Sequence, residues 1–240
     1  MRLSDFKVLT FDCYGTLIDW EAGMIAALGP LTQAVADKSG RALPRDAILE
    51  AHAAHEAAQQ RLTPAMPYRD LLAIVHERLA REWGVTVRAE DCRAYGRSVG
   101  TWPAFGDSAA ALSDLKERFK LVILSNVDNA SFALSNARLG VTFDAVYTAE
   151  DIGSYKPNAR NFAYMIEHLA RDGIPKGAIL HVAESLFHDH VPAKAAGLAT
   201  CWIHRRHAQP GFGATLDPGS RPTPDFTFTS LREMAAATRP

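Results

Sequence analysis

The stretch Phe11–Asp19, FDCYGTLID, decides how this 240-residue chain is read. It follows Lys7–Phe11, KVLTF, a short apolar run rich in β-branched and aromatic residues that stops at an acid and a glycine. That is the pattern of a buried parallel strand feeding a loop. Asp12 then stands at the C-terminal end of a strand, with Gly15 and Thr16 supplying the tight turn beyond it. In doubly wound sheets ligands sit outside the C-terminal strand ends, so the Asp12 carboxylate is aimed at the ligand crevice. By itself such an aspartate is as often a turn or helix-capping residue.

Working outward, runs of the same kind recur at Leu121–Leu124, Ala145–Tyr147, Ile179–Val182, Ala199–Ile203 and Asp225–Phe228. Ser108–Phe119, Asn129–Leu139, Pro157–Ala170 and Val191–Ala196 carry apolar residues at helical spacing, with Gly140 and Gly197 just past two of the ends. Alternating strands and helices predict an α/β fold built on a parallel sheet. From about Trp20 to Gly100 the rhythm breaks. Glu21–Ser39, Arg45–Arg61, Pro67–Trp83 and Ala89–Ser98 read as helices with no strand between them. An all-helical block inserted after the first strand predicts a cap over Asp12. The division is a core of residues 1–18 and 101–240 and a helical cap domain of residues 19–100. Gln209–Pro224, rich in Pro and Gly, reads as a long surface loop, either a lid or a plain connection.

Three further sites fall at the C-terminal ends of other predicted strands: Ser125-Asn126, Lys156-Pro157, and the acidic stretch Glu184–Asp189. Each alone is an ordinary turn or loop; in this order they converge with Asp12 on one point. The four-part pattern resembles the haloacid dehalogenase superfamily over nearly the whole chain, and the resemblance implies a Rossmann-like core with an inserted helical cap. It implies Asp12 as nucleophile, Ser125 as the second-motif hydroxyl, Lys156 as the third-motif lysine, and Glu184 and Asp189 as the acidic fourth motif. The chemistry is sound independently. A carboxylate is a usable nucleophile when held ionised and aimed, and a lysine close by both lowers its pKa and neutralises an anionic substrate. Backbone N–H groups at Ser125 and Asn126, at a strand-to-helix turn, suit carboxylate or phosphate oxygens.

Within the superfamily, phosphatases carry a second aspartate two residues after the first, where this chain has Tyr14. An unperturbed tyrosine is a poor proton shuttle at neutral pH, whereas halide leaves without a proton. DCYGTLID, Tyr155-Lys156-Pro157 and Cys201–Ile203 (CWI) resemble the type II 2-haloacid dehalogenases. That resemblance implies an aspartyl ester intermediate in the cleavage of a small 2-halo acid, with catalytic Asp12, Lys156, Asp189 and Glu184 and substrate-binding Tyr14, Ser125, Asn126 and Ser185. Three departures stand against it. Glu184, Ser185 and Leu186 replace a Ser-Ser-Asn run, Phe162 replaces a tyrosine, and the helix expected to carry a halide-binding arginine offers Glu50 or Ala51, with Arg41 and Arg45 only nearby. Glu184 with Asp12 and Asp189 sets three carboxylates against one lysine, an excess that a divalent cation would relieve. The alternative is therefore a Mg²⁺-dependent phosphatase holding its ion through Asp12, Tyr14, Glu184 and Asp189, unless Glu184 pairs with Lys156 and merely tunes it. The dehalogenase reading requires no cofactor.

Lys+Arg 26 against Asp+Glu 27 leaves a net charge of -1, no footprint for nucleic acid or an anionic membrane. The partner expected is a small anionic molecule. Cys13, Cys92 and Cys201, odd in number and without a CxxC pair, argue for a reducing compartment. Asp12 interrupts the first apolar run before a signal-peptide core forms, so the expected location is cytoplasmic. Related dehalogenases are often dimers, which leaves a homodimer open. His188 and His190 flank Asp189 and His204 and His207 follow a strand, so a transition-metal site or a histidine assisting hydrolytic water also stays open. Trp20 and Tyr68 are candidates for the pocket wall. Cys13 is expected to be inert, His52 and His55 solvated or packing residues, and Arg205-Arg206 a solvated strand end.

Overall fold

The computed structural model describes residues 1–219 and 221–239. Six parallel strands form one sheet: β1 (Val8–Phe11), β2 (Lys120–Ser125), β3 (Ala145–Thr148), β4 (Ile179–Ala183), β5 (Ala199–Ile203) and β6 (Phe226–Phe228). Their order is β3-β2-β1-β4-β5-β6, the doubly wound arrangement that leaves a crevice where the winding reverses beside β1. Every residue of β1 and β4 is buried, as continuous apolar strands covered on both faces require.

Between β1 and β2 the chain is helical: α1 (Trp20–Ala27), α2 (Gly29–Ser39), α3 (Arg45–Leu62), α4 (Tyr68–Glu82), α5 (Ala89–Arg97) and α6 (Ser108–Lys116). The single helix expected over Glu21–Ser39 is two. Pro30 lacks the N–H to continue a helix but suits the first turn of a new one, so the chain restarts at Gly29. The Asp19 carboxylate accepts from the N–H of Ala22 and fixes where α1 begins. Farther on lie α7 (Asn129–Leu139), α8 (Ala149–Ile152), α9 (Ala159–Arg171), α10 (Val191–Ala195) and α11 (Leu231–Ala237), of which α8 and α11 are unforeseen in the sequence. Among the described residues no helix is long and apolar enough to cross a membrane. All three cysteines are free and buried, and burial raises the Cys13 thiol well above its ordinary range.

Candidate active site

Asp12 leaves β1 at the reversal point, where Gly15, at φ +98°, turns the chain tightly against the Trp20 ring. One Asp12 oxygen accepts from the Thr16 hydroxyl at 2.8 Å, and the other from Lys156 Nζ at 3.0 Å. The ammonium also donates to the Leu124 carbonyl at 2.9 Å and to Asp189 at 2.6 Å. Lys156 is 1% exposed, so these are its partners in place of water. Burial would lower its pKa, but the two carboxylates raise it instead. The ammonium lies nearer Asp189 than Asp12. Burial and the neighbouring Asp189 push Asp12 up, against the pull of Lys156, whereas Lys156 and His181 overcome burial and hold Asp189 below the ordinary carboxylate range.

The structure brings Asp12, Tyr14, Ser125, Asn126, Lys156, Glu184, Ser185 and Asp189 around one cavity of about 30 Å³, room for a few waters at most. Their side chains are differently disposed. Ser125 ends β2 with its hydroxyl buried and without a hydrogen-bond partner, ready for a ligand oxygen. Asn126 binds the backbone of Lys156 twice, accepting from its N–H at 2.7 Å and donating to its carbonyl at 3.0 Å. Its side chain therefore positions the lysine, and Asn126 still lines the cavity. The Tyr14 hydroxyl is likewise engaged, at 2.8 Å from Ser135 Oγ, and burial raises its pKa well above the ordinary value. Ser185 Oγ accepts from the N–H of His188 and caps the wide turn Leu186–His190, in which the N–H groups of Asp189 and His190 both reach the Ser185 carbonyl. Glu184 does not pair with Lys156. Its carboxyl lines the cavity with no hydrogen bond among the described residues, and burial followed by repulsion from Glu21 and Asp12 pushes it up to about 8. His188 also lines the cavity, lowered by burial to about 4, whereas His190 is turned inward onto the Ala183 carbonyl at 3.0 Å.

The helical block contributes the expected Tyr68 and, at its own N-terminal edge, Trp20; it also contributes Glu56, which the sequence reading missed. Burial raises Glu56 to about 7. Arg41, Arg45 and Glu50 are all outside the cavity, and Lys156 is its one cation among the described residues. His181 was also missed: on β4, its Nε2 lies 2.9 Å from Asp189 and its Nδ1 2.9 Å from the Thr10 hydroxyl, so a tautomer protonated on Nε2 serves both bonds and fixes Asp189. Arg205 and Arg206 are not solvated. Arg205 donates to the Thr16 carbonyl at 3.0 and 3.1 Å and to Asp107 at 2.8 Å, bracing the nucleophile loop from behind, and Arg206 is buried against Glu21. A charged dipeptide closing a strand gives no sequence signal of partners so far away.

A magnesium ion would need Asp12, the Tyr14 carbonyl, Glu184 and Asp189 to converge. Among the described residues no three Asp, Glu, His or Cys side chains come together to hold a metal ion, and the Lys156 ammonium fills the space between Asp12 and Asp189. The donor set does not fit a divalent cation in this arrangement, and the histidines form no transition-metal cluster.

Residues 6–197 match the family model described as haloacid dehalogenase-like hydrolase. A pyrimidine 5'-nucleotidase of Escherichia coli (strain K12) is 26% identical over 129 residues, 53% of this chain and 53% of that protein, so the chain spans about half the length of this relative. Among solved structures, an L-2-haloacid dehalogenase superimposes with a TM-score of 0.77 at 22% identity, covering 98% of this chain and 100% of the other. The L-2-haloacid dehalogenase from Xanthobacter autotrophicus, solved with chloropropionic acid covalently bound, gives 0.73 at 18% identity over 96% and 97% of the two chains. At these identities the likeness concerns the fold.

Proposed function

The chain belongs to the haloacid dehalogenase-like hydrolases, and within that family we propose that it cleaves the carbon–halogen bond of a small 2-halo acid through an ester on Asp12. The observation that carries this reading is Tyr14. A phosphoester or alkoxide leaving group needs a proton, and the residue two positions past the nucleophile is a phenol with a raised pKa, bound to Ser135. Halide leaves as a stable anion without one.

In the first step an Asp12 oxygen attacks C2 and the C–X pair departs with the halide. The unpartnered Ser125 hydroxyl and the Lys156 ammonium receive the substrate carboxylate. In the second step water attacks the ester carbonyl of Asp12, releasing the 2-hydroxy acid and restoring the carboxylate with one oxygen from solvent. Asp189, held ionised against Lys156, is too weak a base to take the water's proton; Glu184, near 8 and facing the cavity, is matched to that task. Glu184 hands that proton to the departing alkoxide oxygen, which leaves as the hydroxyl of the product, and the second proton of the water goes to solvent as the Asp12 carboxyl ionises. The helices of residues 19–100 act as a cap that shields the ester, and the reaction requires no cofactor. A cytoplasmic location and a homodimer are consistent with this reading.

The test is halide release from L-2-chloropropionate and chloroacetate in excess EDTA, with Asp12→Asn as control. Release that vanishes in Asp12→Asn, with ¹⁸O from labelled water entering Asp12 over multiple turnovers, is the expected result. No release in EDTA, followed by p-nitrophenyl phosphate cleavage once Mg²⁺ is restored, sinks the reading.

A further inference from the structure

Between β5 and β6 the chain makes a long Pro- and Gly-rich excursion, and its first half is pinned down where a plain connection would be free. The Arg206 guanidinium, 8% exposed, donates through Nη1 to both oxygens of Glu21, at 2.7 and 2.5 Å, and through Nη2 to the Pro210 carbonyl at 3.0 Å. Glu21 also accepts from the N–H of Ala214 at 3.3 Å and faces Arg45 at 3.5 Å. Gly213 crosses directly over this carboxylate, at φ +61°, with so little room that a Cβ there would lie 1.9 Å from Glu21 Oε1 and 2.6 Å from Arg206 Nη1. Ala214 is consequently buried, and the next residue, Thr215, lines the Asp12 cavity together with Trp20 and Glu184.

A buried ion pair contributes little net stability, so stability alone is a weak reason for one here. A loop longer than about 12–15 residues without structure of its own is in general functional or disordered, and this one is hydrogen-bonded and buried next to the cavity. We propose that residues 209–215 are a strap forming one wall of the active site, that the Glu21–Arg206 pair is its latch, and that Thr215 is a specificity-determining residue that limits the size of the substrate at C2. The proposal rests on the Asp12 cavity being the reaction site.

Its test has two arms. Gly213→Ala forces a methyl group into the buried latch, in a segment outside the sheet; Arg206→Met removes the latch's cation. Hydrogen exchange of the amides of residues 209 and 211–215 is expected to accelerate at least tenfold in both, with the sheet unchanged; unchanged exchange overturns the latch. The second arm compares chloroacetate, 2-chloropropionate and 2-chlorobutyrate. Thr215→Leu is expected to raise the KM for 2-chlorobutyrate at least tenfold more than that for chloroacetate, and Thr215→Gly and Gly213→Ala to shift the preference toward the longer acid. A chain-length preference equal to that of the wild type in all three variants overturns the role of Thr215. Should the wild type release no halide, the proposed reaction fails separately. The same size comparison is then made with methyl phosphate against p-nitrophenyl phosphate, and the exchange arm is read as before.

Discussion

Replacing Lys156 by methionine removes one ammonium and leaves two buried carboxylates facing each other across the gap. At 3.0 and 2.6 Å, and with an effective dielectric of about 20, the attractions to Asp12 and Asp189 are about 5 and about 6 kcal/mol before desolvation is counted. Burial and Asp189 already push Asp12 up in the intact site. Losing about 5 kcal/mol of stabilisation of its anion lowers the Asp12 ionisation constant by roughly 10³-fold or more, since each 1.4 kcal/mol is tenfold. Halide release by Lys156→Met at pH 7 is therefore expected to fall well beyond tenfold and to recover partly as the pH is raised. Removing one partner of a buried pair also costs about 3–5 kcal/mol of stability. Without the lysine the Asp12 carboxyl, already raised by burial, has a folded pKa further above its unfolded one, so the variant is steadiest in mild acid and weakens as pH rises. Urea unfolding at pH 5 and pH 8, beside rate profiles over the same range, checks both halves. A folded Lys156→Met with activity within tenfold of wild type and an unshifted rate profile refutes the account of how Asp12 is kept ionised.

Glu184, near 8, is expected to make kcat rise with pH through that value, and Glu184→Gln to lower kcat at pH 8 by about 10²-fold and abolish the rise, as general-base losses run; a rise that persists in the variant assigns the base elsewhere. Glu56, near 7, turns from neutral to negative beside an anionic substrate, so KM for a 2-halo acid should climb several-fold between pH 6 and 8 in the wild type and stay flat in Glu56→Gln. Tyr14→Phe deletes the bond to Ser135, at a cost of about 1 kcal/mol in thermal unfolding; a loss of kcat beyond tenfold would reinstate the phenol as a proton donor. His52 is fully buried, neither ring nitrogen makes a hydrogen bond although Nδ1 lies 3.4 Å from Glu56 Oε2, and burial lowers its pKa to about 3. The unfolded chain takes up its proton first as pH falls from about 6.5, so stability is present above that value and is lost toward 3. His52→Leu should add about 1–3 kcal/mol near pH 7, more at pH 5, by denaturant titration.

What the sequence made legible follows from how local each signal is. Asp12, Ser125, Lys156 and Asp189 were readable because each follows a strand whose apolar run is written in consecutive residues, and parallel strands deliver their C-terminal ends to one edge. Glu56 was not. It lies in HAAHEAAQQ, where alanine, histidine and glutamine repeat so evenly that no periodicity says which helix face meets the core, and its burial depends on a block packed from elsewhere. The engaged side chains of Tyr14 and Asn126 were hidden for a related reason. Residue type predicts what a group can do, while its partners, Ser135 and the Lys156 backbone, decide whether it is free to do it.

Arg205 and Arg206 carry that lesson into the organisation of the site. A strand end with two arginines reads as solvated because charged residues are almost never fully buried unless paired. Their partners lie 98 and 185 residues away, at Asp107 and Glu21, so no local pattern could announce them. Adjacent in sequence, they divide the work. Arg205 grips the carbonyl of Thr16, whose hydroxyl bridges the Asp12 carboxylate and the N–H of Glu184, while Arg206 ties the first helix of the inserted block to the excursion that carries Thr215. One dipeptide after β5 thus fixes the nucleophile loop, an edge of the helical block and a wall of the cavity relative to each other. Loosening Arg205 should therefore appear first in kcat, through the aim of Asp12, and loosening Arg206 first in KM and substrate size, through the wall. A pair of variants, Arg205→Met and Arg206→Met, that lowered kcat and raised KM in equal proportion would show that the two arginines merely hold the fold together.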